Sequence, residues 1–184
     1  MKTKRNTKSN TLSNRPELPK RLVAIDPGMN LIGLAAFNKG KLSDYCVKTI
    51  PSKQLIRERL LSLEAVLSRY FDEKKPTQIA LEKTTFSSGS QNSLLVLAYY
   101  KILAIARRRQ IPVYEYVPVS IRKAVCGNGH ATKDDVMKLL ITKYPELRIF
   151  SCTNRRWARR HNSNLYDSVA VGLAHLDRVR SHDK

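Results

Sequence analysis

Apolar and polar positions divide the chain into an ordered series of elements. Two apolar runs, Leu22-Val23-Ala24-Ile25 and Leu31-Ile32-Gly33-Leu34-Ala35-Ala36-Phe37, are joined through Asp26-Pro27-Gly28. Their composition is that of strands over 21–26 and 31–37, and Pro-Gly turns the chain between them, so they read as a hairpin. Lys39-Gly40 gives a second turn. A third strand follows over 41–49, with Leu42, Tyr45 and Val47 as its apolar positions. From Lys53 to Phe71, the residues Ile56, Leu60, Leu63, Leu67 and Tyr70 recur at helical spacing. That spacing predicts an amphipathic helix against one side of the sheet.

Beyond Pro76 the chain repeats the first motif. Thr77 to Leu81 is a short buried strand that again ends in a carboxylate, Glu82. A polar loop over 83–91 leads to a helix over 94–109 that is apolar nearly all round. Such a helix is covered on both sides. The sheet takes one side; a second subunit, or burial beneath the monomer's own loops, takes the other. Ile111 to Val117 is a fifth strand, and Pro118 opens a short turn or helix to Val125. Thr132 caps a helix that runs to about Tyr144, with Asp134 and Asp135 in its first turn. Ser151 to Arg160 reads as a basic loop around Trp157, before a last helix over 163–180. Three sequential strands followed by strand–helix crossovers predict an α/β fold: a mixed five-stranded sheet with helices on both faces. A single domain over 21–180 holds it. Residues 1–20 are basic and lack apolar periodicity, so they read as a disordered tail. An organelle-targeting segment is the weaker reading, because arginines are few and no apolar face exists.

Charge narrows the choice of partner. Lys and Arg number 34 against 15 Asp and Glu, a formal charge of +19. That field favours a polyanion, with nucleic acid first, although a ribosomal or membrane-surface protein carries the same sign. No apolar run reaches the roughly 20 residues of a membrane span. Three scattered cysteines suggest reduced thiols, and so an intracellular protein that is cytoplasmic or associated with the nucleoid. Cys126, His130, Cys152 and His161 lack the paired spacing of a zinc site.

The acids carry the chemistry. On its own stretch, Asp26 reads as a turn aspartate bonding nearby N–H groups. The last helix changes this. Asp167 heads a small apolar face with Ala170, Val171 and Ala174 at i+3, i+4 and i+7. A carboxylate there needs a cation, either an arginine or a metal. If strands one and four are parallel neighbours, Asp26 and Glu82 end on one edge of the sheet near Asp167. Clustered carboxylates repel one another unless a divalent ion neutralises them, and oxygen ligands favour Mg²⁺ or Mn²⁺. Two such ions about 4 Å apart suit phosphodiester hydrolysis.

With these residues in place, the chain resembles the RuvC-type Holliday junction resolvases of the RNase H-like superfamily. The likeness runs from about Leu22 to Leu176. It rests on I-D-P-G (Ile25 to Gly28), A-L-E (Ala80 to Glu82), G-x-G-x-A-x-K (Gly127 to Lys133) and D-S-V-A-V (Asp167 to Val171). The resemblance implies a homodimeric, metal-dependent endonuclease that cuts two opposed strands of four-way branched DNA. It implies Asp26, Glu82 and Asp167 as catalytic metal ligands and Lys133 as a catalytic cation. Arg122, Lys123 and Lys133 become DNA contacts, and Phe86 an aromatic that stacks on an opened base. Arg155, Arg156, Trp157, Arg159 and Arg160 add phosphate contacts and stacking beside the site.

One position departs from the pattern. The family's fourth ligand, three residues before the helix aspartate, is here Asn164. Its amide oxygen still ligates a hard cation, but without charge. Weak ligation by Asn164, compensation by His161 or Glu64, and loss of activity all remain open at this point. The alternatives to a resolvase are an RNase H-like nuclease on RNA–DNA hybrids or other branched DNA, and a non-catalytic junction-binding protein.

Overall fold

The structure is a computed structural model, which describes residues 18–83, 90–151 and 156–182, excepting the side chains of 90–92, 156–160 and 182. The opening hairpin forms as read. β1 (Arg21–Asp26) pairs antiparallel with β2 (Leu31–Asn38), placing Asp26 opposite Gly33. Lys39 and Gly40, both at positive φ (48° and 76°), turn the chain into β3 (Lys41–Thr49). β4 (Gln78–Glu82) then lies parallel to β1, in register from Leu22 opposite Gln78 to Ile25 opposite Leu81. β5 (Val113–Tyr116) extends the sheet in parallel, giving the order β3-β2-β1-β4-β5. β1 and β4 are covered on both faces, which is why they read as unbroken apolar runs.

Helices cover both faces. α1 (Ile56–Lys74) and α2 (Ser90–Arg108) pack Leu63, Leu67, Phe71 and Ile102 against Val23, Ile25 and Ile79. α3 (Pro118–Cys126), α4 (Lys133–Lys143) and α5 (Arg156–His182) cover Leu22, Ala24 and Ala80 on the other face. A two-turn 3₁₀ helix over Pro145–Phe150, absent from the sequence reading, links α4 towards α5. α5 buries Leu165, Val169, Val171 and Leu176, each contributing about 1.5–3 kcal/mol relative to exposure.

Two glycines let α5 settle onto the hairpin. A Cβ on Gly33 would stand 2.0 Å from the Asn164 carbonyl oxygen, and one on Gly172 would stand 2.1 Å from the Phe37 ring. Nearer the helix's end, the buried His175 bonds the Tyr116 hydroxyl through Nδ1 (2.8 Å) and the Gln78 side-chain oxygen through Nε2 (2.8 Å). Burial, and secondarily Arg178, pushes this imidazole down to about 4, so it bridges β4, β5 and α5 in its neutral form.

Two expectations are corrected. The basic stretch around Trp157 is no loop from Arg156 onward, because α5 begins there. Arg and Ala are good helix formers and carry the helix two turns upstream of Ser163, where the sequence reading began it. Asp167 is therefore the twelfth residue of α5, mid-helix, and not near the start of a helix over 163–180. α2 also begins four residues before Leu94. It buries Ala98, Tyr99, Ile102, Ile105 and Ala106, while Leu97 and Tyr100 stay 40% and 57% exposed on its outer side.

Candidate active site

Strand register brings the first two acids together. Asp26 and Glu82 are the residues immediately after the pair Ile25–Leu81, and alternation points them to the same face as Ala24 and Ala80, towards α5. The close approach at Gly33 brings the backbone of Asn164 over this edge, and Asp167 lies one turn further along α5. The three carboxylates and Asn164 line one cleft of about 520 Å³, together with Arg122, Lys133 and the turn over 27–31.

Lys133 reaches the cleft because α4 starts beside it. Thr132 and Asp135 cap each other reciprocally: the Asp135 N–H donates to the Thr132 hydroxyl (3.2 Å) and the Thr132 N–H to the Asp135 carboxylate (2.9 Å). That fixes Lys133 as the first helical residue, where the helix dipole disfavours a cation. What holds it is Asp167: its Nζ lies 2.7 Å from Oδ2, and it also donates to the Ser163 hydroxyl at 3.2 Å. Ser163 in turn donates to the same Oδ2 at 3.2 Å. Nothing in the sequence singled out this serine. Gly33 did carry a signal, since a glycine inside a strand marks close approach of another backbone.

The electrostatics of the cleft are those of crowded acids. Burial raises the Asp26 carboxyl well above the usual range, with Glu82 and then Asp167 adding to it and Lys133 opposing. Burial and Asp167 push Glu82 up to about 7 against the pull of Lys133 and Arg122. Lys133 is raised: burial works against its charge, and Asp167, Asp26 and Glu82 outweigh that. Three carboxylates and one amide oxygen are hard donors of the kind a divalent cation takes. As placed, no three Asp, Glu, His or Cys side chains among the described residues form a closed ion cage, and Asp167 is turned to Lys133. Lys133 and Ser163 both engage Oδ2 of Asp167, so a cation in the cleft would meet this carboxylate at Oδ1 or compete with Lys133 for Oδ2.

The remaining sequence candidates divide. Arg122 lines the cleft, whereas Lys123 is exposed on α3 outside it. Arg156, Trp157, Arg159 and Arg160 fall in the first turns of α5. Arg156 is eight residues, about 12 Å along the axis, before Asn164. Phe86 and Arg155 lie outside the described residues, as does Cys152. His161 is half-buried and does not line the cleft. Glu64 cannot stand in for a fourth ligand, because it is paired with Lys101 and Arg108 on the α1–α2 side of the sheet.

Against this geometry stands a match between residues 22–154 and the sequence profile of the family described as crossover junction endodeoxyribonuclease RuvC. The chain belongs to the RuvC family. The match contains Asp26, Glu82 and Lys133 and ends before Asn164 and Asp167. A crossover junction endodeoxyribonuclease RuvC from Pseudothermotoga lettingae is 36% identical over 124 residues, covering 65% of this chain and 76% of that one. Another from Corynebacterium glutamicum is 33% identical over 131 residues, which are 67% of this chain and 58% of that longer relative. Among solved structures, Thermus thermophilus RuvC in complex with a Holliday junction substrate superposes with a TM-score of 0.72 at 24% identity, covering 89% of this chain and 96% of that one. At that identity the likeness speaks for the RuvC fold, which is the RNase H-like mixed sheet described above.

Proposed function

We propose that this RuvC-family chain is a structure-specific endonuclease that resolves four-way DNA junctions by hydrolysing one phosphodiester in each of two opposed strands. The observation that carries the reading is the convergence of Asp26, Glu82 and Asp167, far apart in sequence, in one cleft flanked by Arg122 and Lys133. A net charge of +19 supplies the long-range attraction for DNA.

Nucleases of this family are metal-dependent in general. We assign Asp26, Glu82, Asn164 and Asp167 as the groups that would hold Mg²⁺ or Mn²⁺, two ions per site. Bound there, the metal supplies Lewis-acid polarisation of the phosphate and a water of lowered pKa. The protein's own groups do the rest. Arg122 and Lys133 neutralise charge that develops on the phosphate. Asn164 contributes an oxygen without charge, leaving the four-residue set with a formal charge of −3. Phe86, Lys123, Arg155, Arg156, Trp157, Arg159 and Arg160 are assigned to DNA contact.

Two cuts related by a two-fold axis call for two sites in that relation, which a symmetric dimer supplies. The outer side of α2, with Leu97 and Tyr100 exposed, is the surface we assign to the subunit interface. The test is cleavage of a synthetic four-way junction with Mg²⁺, beside a linear duplex and an RNA–DNA hybrid. Paired nicks confined to the junction are expected. Preferential cutting of the hybrid identifies a ribonuclease, and binding without cutting identifies a junction-binding protein.

A further inference from the structure

One wall of the cleft is the turn over 27–31, and behind it sits a charge with no counterpart. Arg59 projects from α1 into the protein and is only 6% exposed. Its Nη2 donates to the Met29 carbonyl at 3.0 Å and to the Asn30 side-chain oxygen. Among the described residues it has no carboxylate within ion-pair distance, and its Nε has no hydrogen-bond partner. Buried charges are ordinarily paired. Two neutral oxygens satisfy two N–H groups and leave the charge itself uncompensated.

That arrangement dictates how Asn30 faces the cleft. Arginine has donors only, so the atom of Asn30 that meets it must be the oxygen. The amide NH₂ is therefore turned away from Arg59, and Asn30 is exposed and lines the cleft. The backbone beneath is fixed as well, since the Ile50 N–H donates to the Asn30 carbonyl at 2.8 Å. The result is a pair of oriented donors backed by an unpaired positive charge, four residues from Asp26.

We propose that the turn between β1 and β2 is a phosphate-binding subsite of the DNA-binding cleft. The Asn30 amide donates to a backbone phosphate oxygen, and Arg59 is the buried charge that orients it and balances the phosphate. The subsite rests on the reading of the cleft as a DNA site. It places the strand across the turn as well as across Arg122 and Lys133. Such contacts fix register and orientation without reading bases.

The experiment is fluorescence anisotropy of a labelled four-way junction and its matched linear duplex, over a salt series, with chelator present to prevent cutting. The wild-type chain is compared with Asn30→Ala and Asn30→Asp. Asn30→Ala loses a hydrogen bond to a charged group and is expected to raise Kd about tenfold for both DNAs. Asn30→Asp puts a carboxylate on Arg59. It is expected to weaken binding further and to flatten the slope of log K against log salt by about one unit. Its melting temperature should not fall below that of the wild type, because the new ion pair holds the turn. Unchanged Kd and slope in both variants confine Asn30 and Arg59 to clamping the turn and overturn the subsite. The wild-type arm tests the parent reading separately. Equal affinity for junction and duplex counts against a resolvase, while weaker duplex binding by the Asn30 variants still upholds the phosphate contact.

Discussion

The α1–α2 seam and the cleft each hold a glutamate, and the two side chains are in opposite circumstances. At the seam, Glu64 is flanked by Lys101 and Arg108 from α2. Hydrogen bonds from these two, Lys101 first, draw its carboxyl down to about 2. In the cleft, Glu82 is desolvated and shares its surroundings with Asp167 and Asp26, and its carboxyl rises to about 7. The chain has cations in excess, 34 against 15 acids, so the contrast is one of placement. Where an acid only joins two helices, the fold surrounds it with its own cations. Where three acids meet at a sheet edge, Lys133 and Arg122 answer them incompletely, and room is left for charge from outside the chain.

The largest effect expected from breaking this contrast is on chemistry. Asp26→Asn, Glu82→Gln and Asp167→Asn should each lower the rate of junction cleavage by roughly a thousandfold or more, the scale of removing one preorganised charge-stabilising group. Junction affinity should stay within a few fold of wild type, because Lys and Arg contacts to phosphate persist. Single-turnover kinetics beside anisotropy measures both. Any of the three variants that cuts at the wild-type rate removes that residue from the site.

Lys133→Met should come next, with roughly a hundredfold loss of cleavage rate. The lysine both faces the phosphate site and holds Asp167, so Lys133→Arg, which keeps the charge but not the compact ammonium, should restore only part of the rate. Full activity in Lys133→Met would leave the lysine as a counterion of Asp167 and nothing more.

A smaller effect is on stability against pH, and the two glutamates should show opposite signs. Glu82 has a folded pKa above its unfolded value of 4.5, so the folded state binds the extra proton between 4.5 and about 7. In chelator, stability from this group is greatest below 4.5 and is lost as pH rises through 7. Glu82→Gln should therefore melt above the wild type at pH 8 and converge with it near pH 4. Glu64 has its pKa lowered from 4.5 to about 2, so its contribution is present above 4.5 and lost as pH falls towards 2. Glu64→Gln should cost no more than about 1 kcal/mol at pH 7, as expected of a solvent-screened pair, and leave cleavage untouched. Thermal melts across that range separate the two slopes; parallel slopes would erase the contrast.

The parts legible in the sequence are those written in periodicity. Leu22–Ile25 and Ile79–Leu81 are buried on both faces and end in carboxylates, so the strands could be read; the meeting of Asp26 with Glu82 followed only on condition that the two strands pair in parallel, and the register supplies that condition. Asp167 could be read from the small face it heads, although its place in α5 was misjudged, because Arg156 to Arg160 have no apolar stripe to show that the helix continues. Pairings between distant side chains leave no periodic trace. The contact of Lys133 with Asp167 and Ser163, and of Arg59 with Asn30, needed coordinates. Gly33 lies between these cases: its presence in a strand announces a close approach but not which backbone arrives.

The most direct measurement is the rise in melting temperature on adding Mg²⁺ to the wild type, Glu82→Gln and Glu64→Gln at pH 7.5. If the cleft acids are left for an external cation, millimolar Mg²⁺ raises the melting temperature of the wild type and of Glu64→Gln equally, by mass action on the folded state, and leaves Glu82→Gln nearly unmoved. An equal rise in all three proteins would place the ion elsewhere and contradict the assignment of the cleft as the metal site.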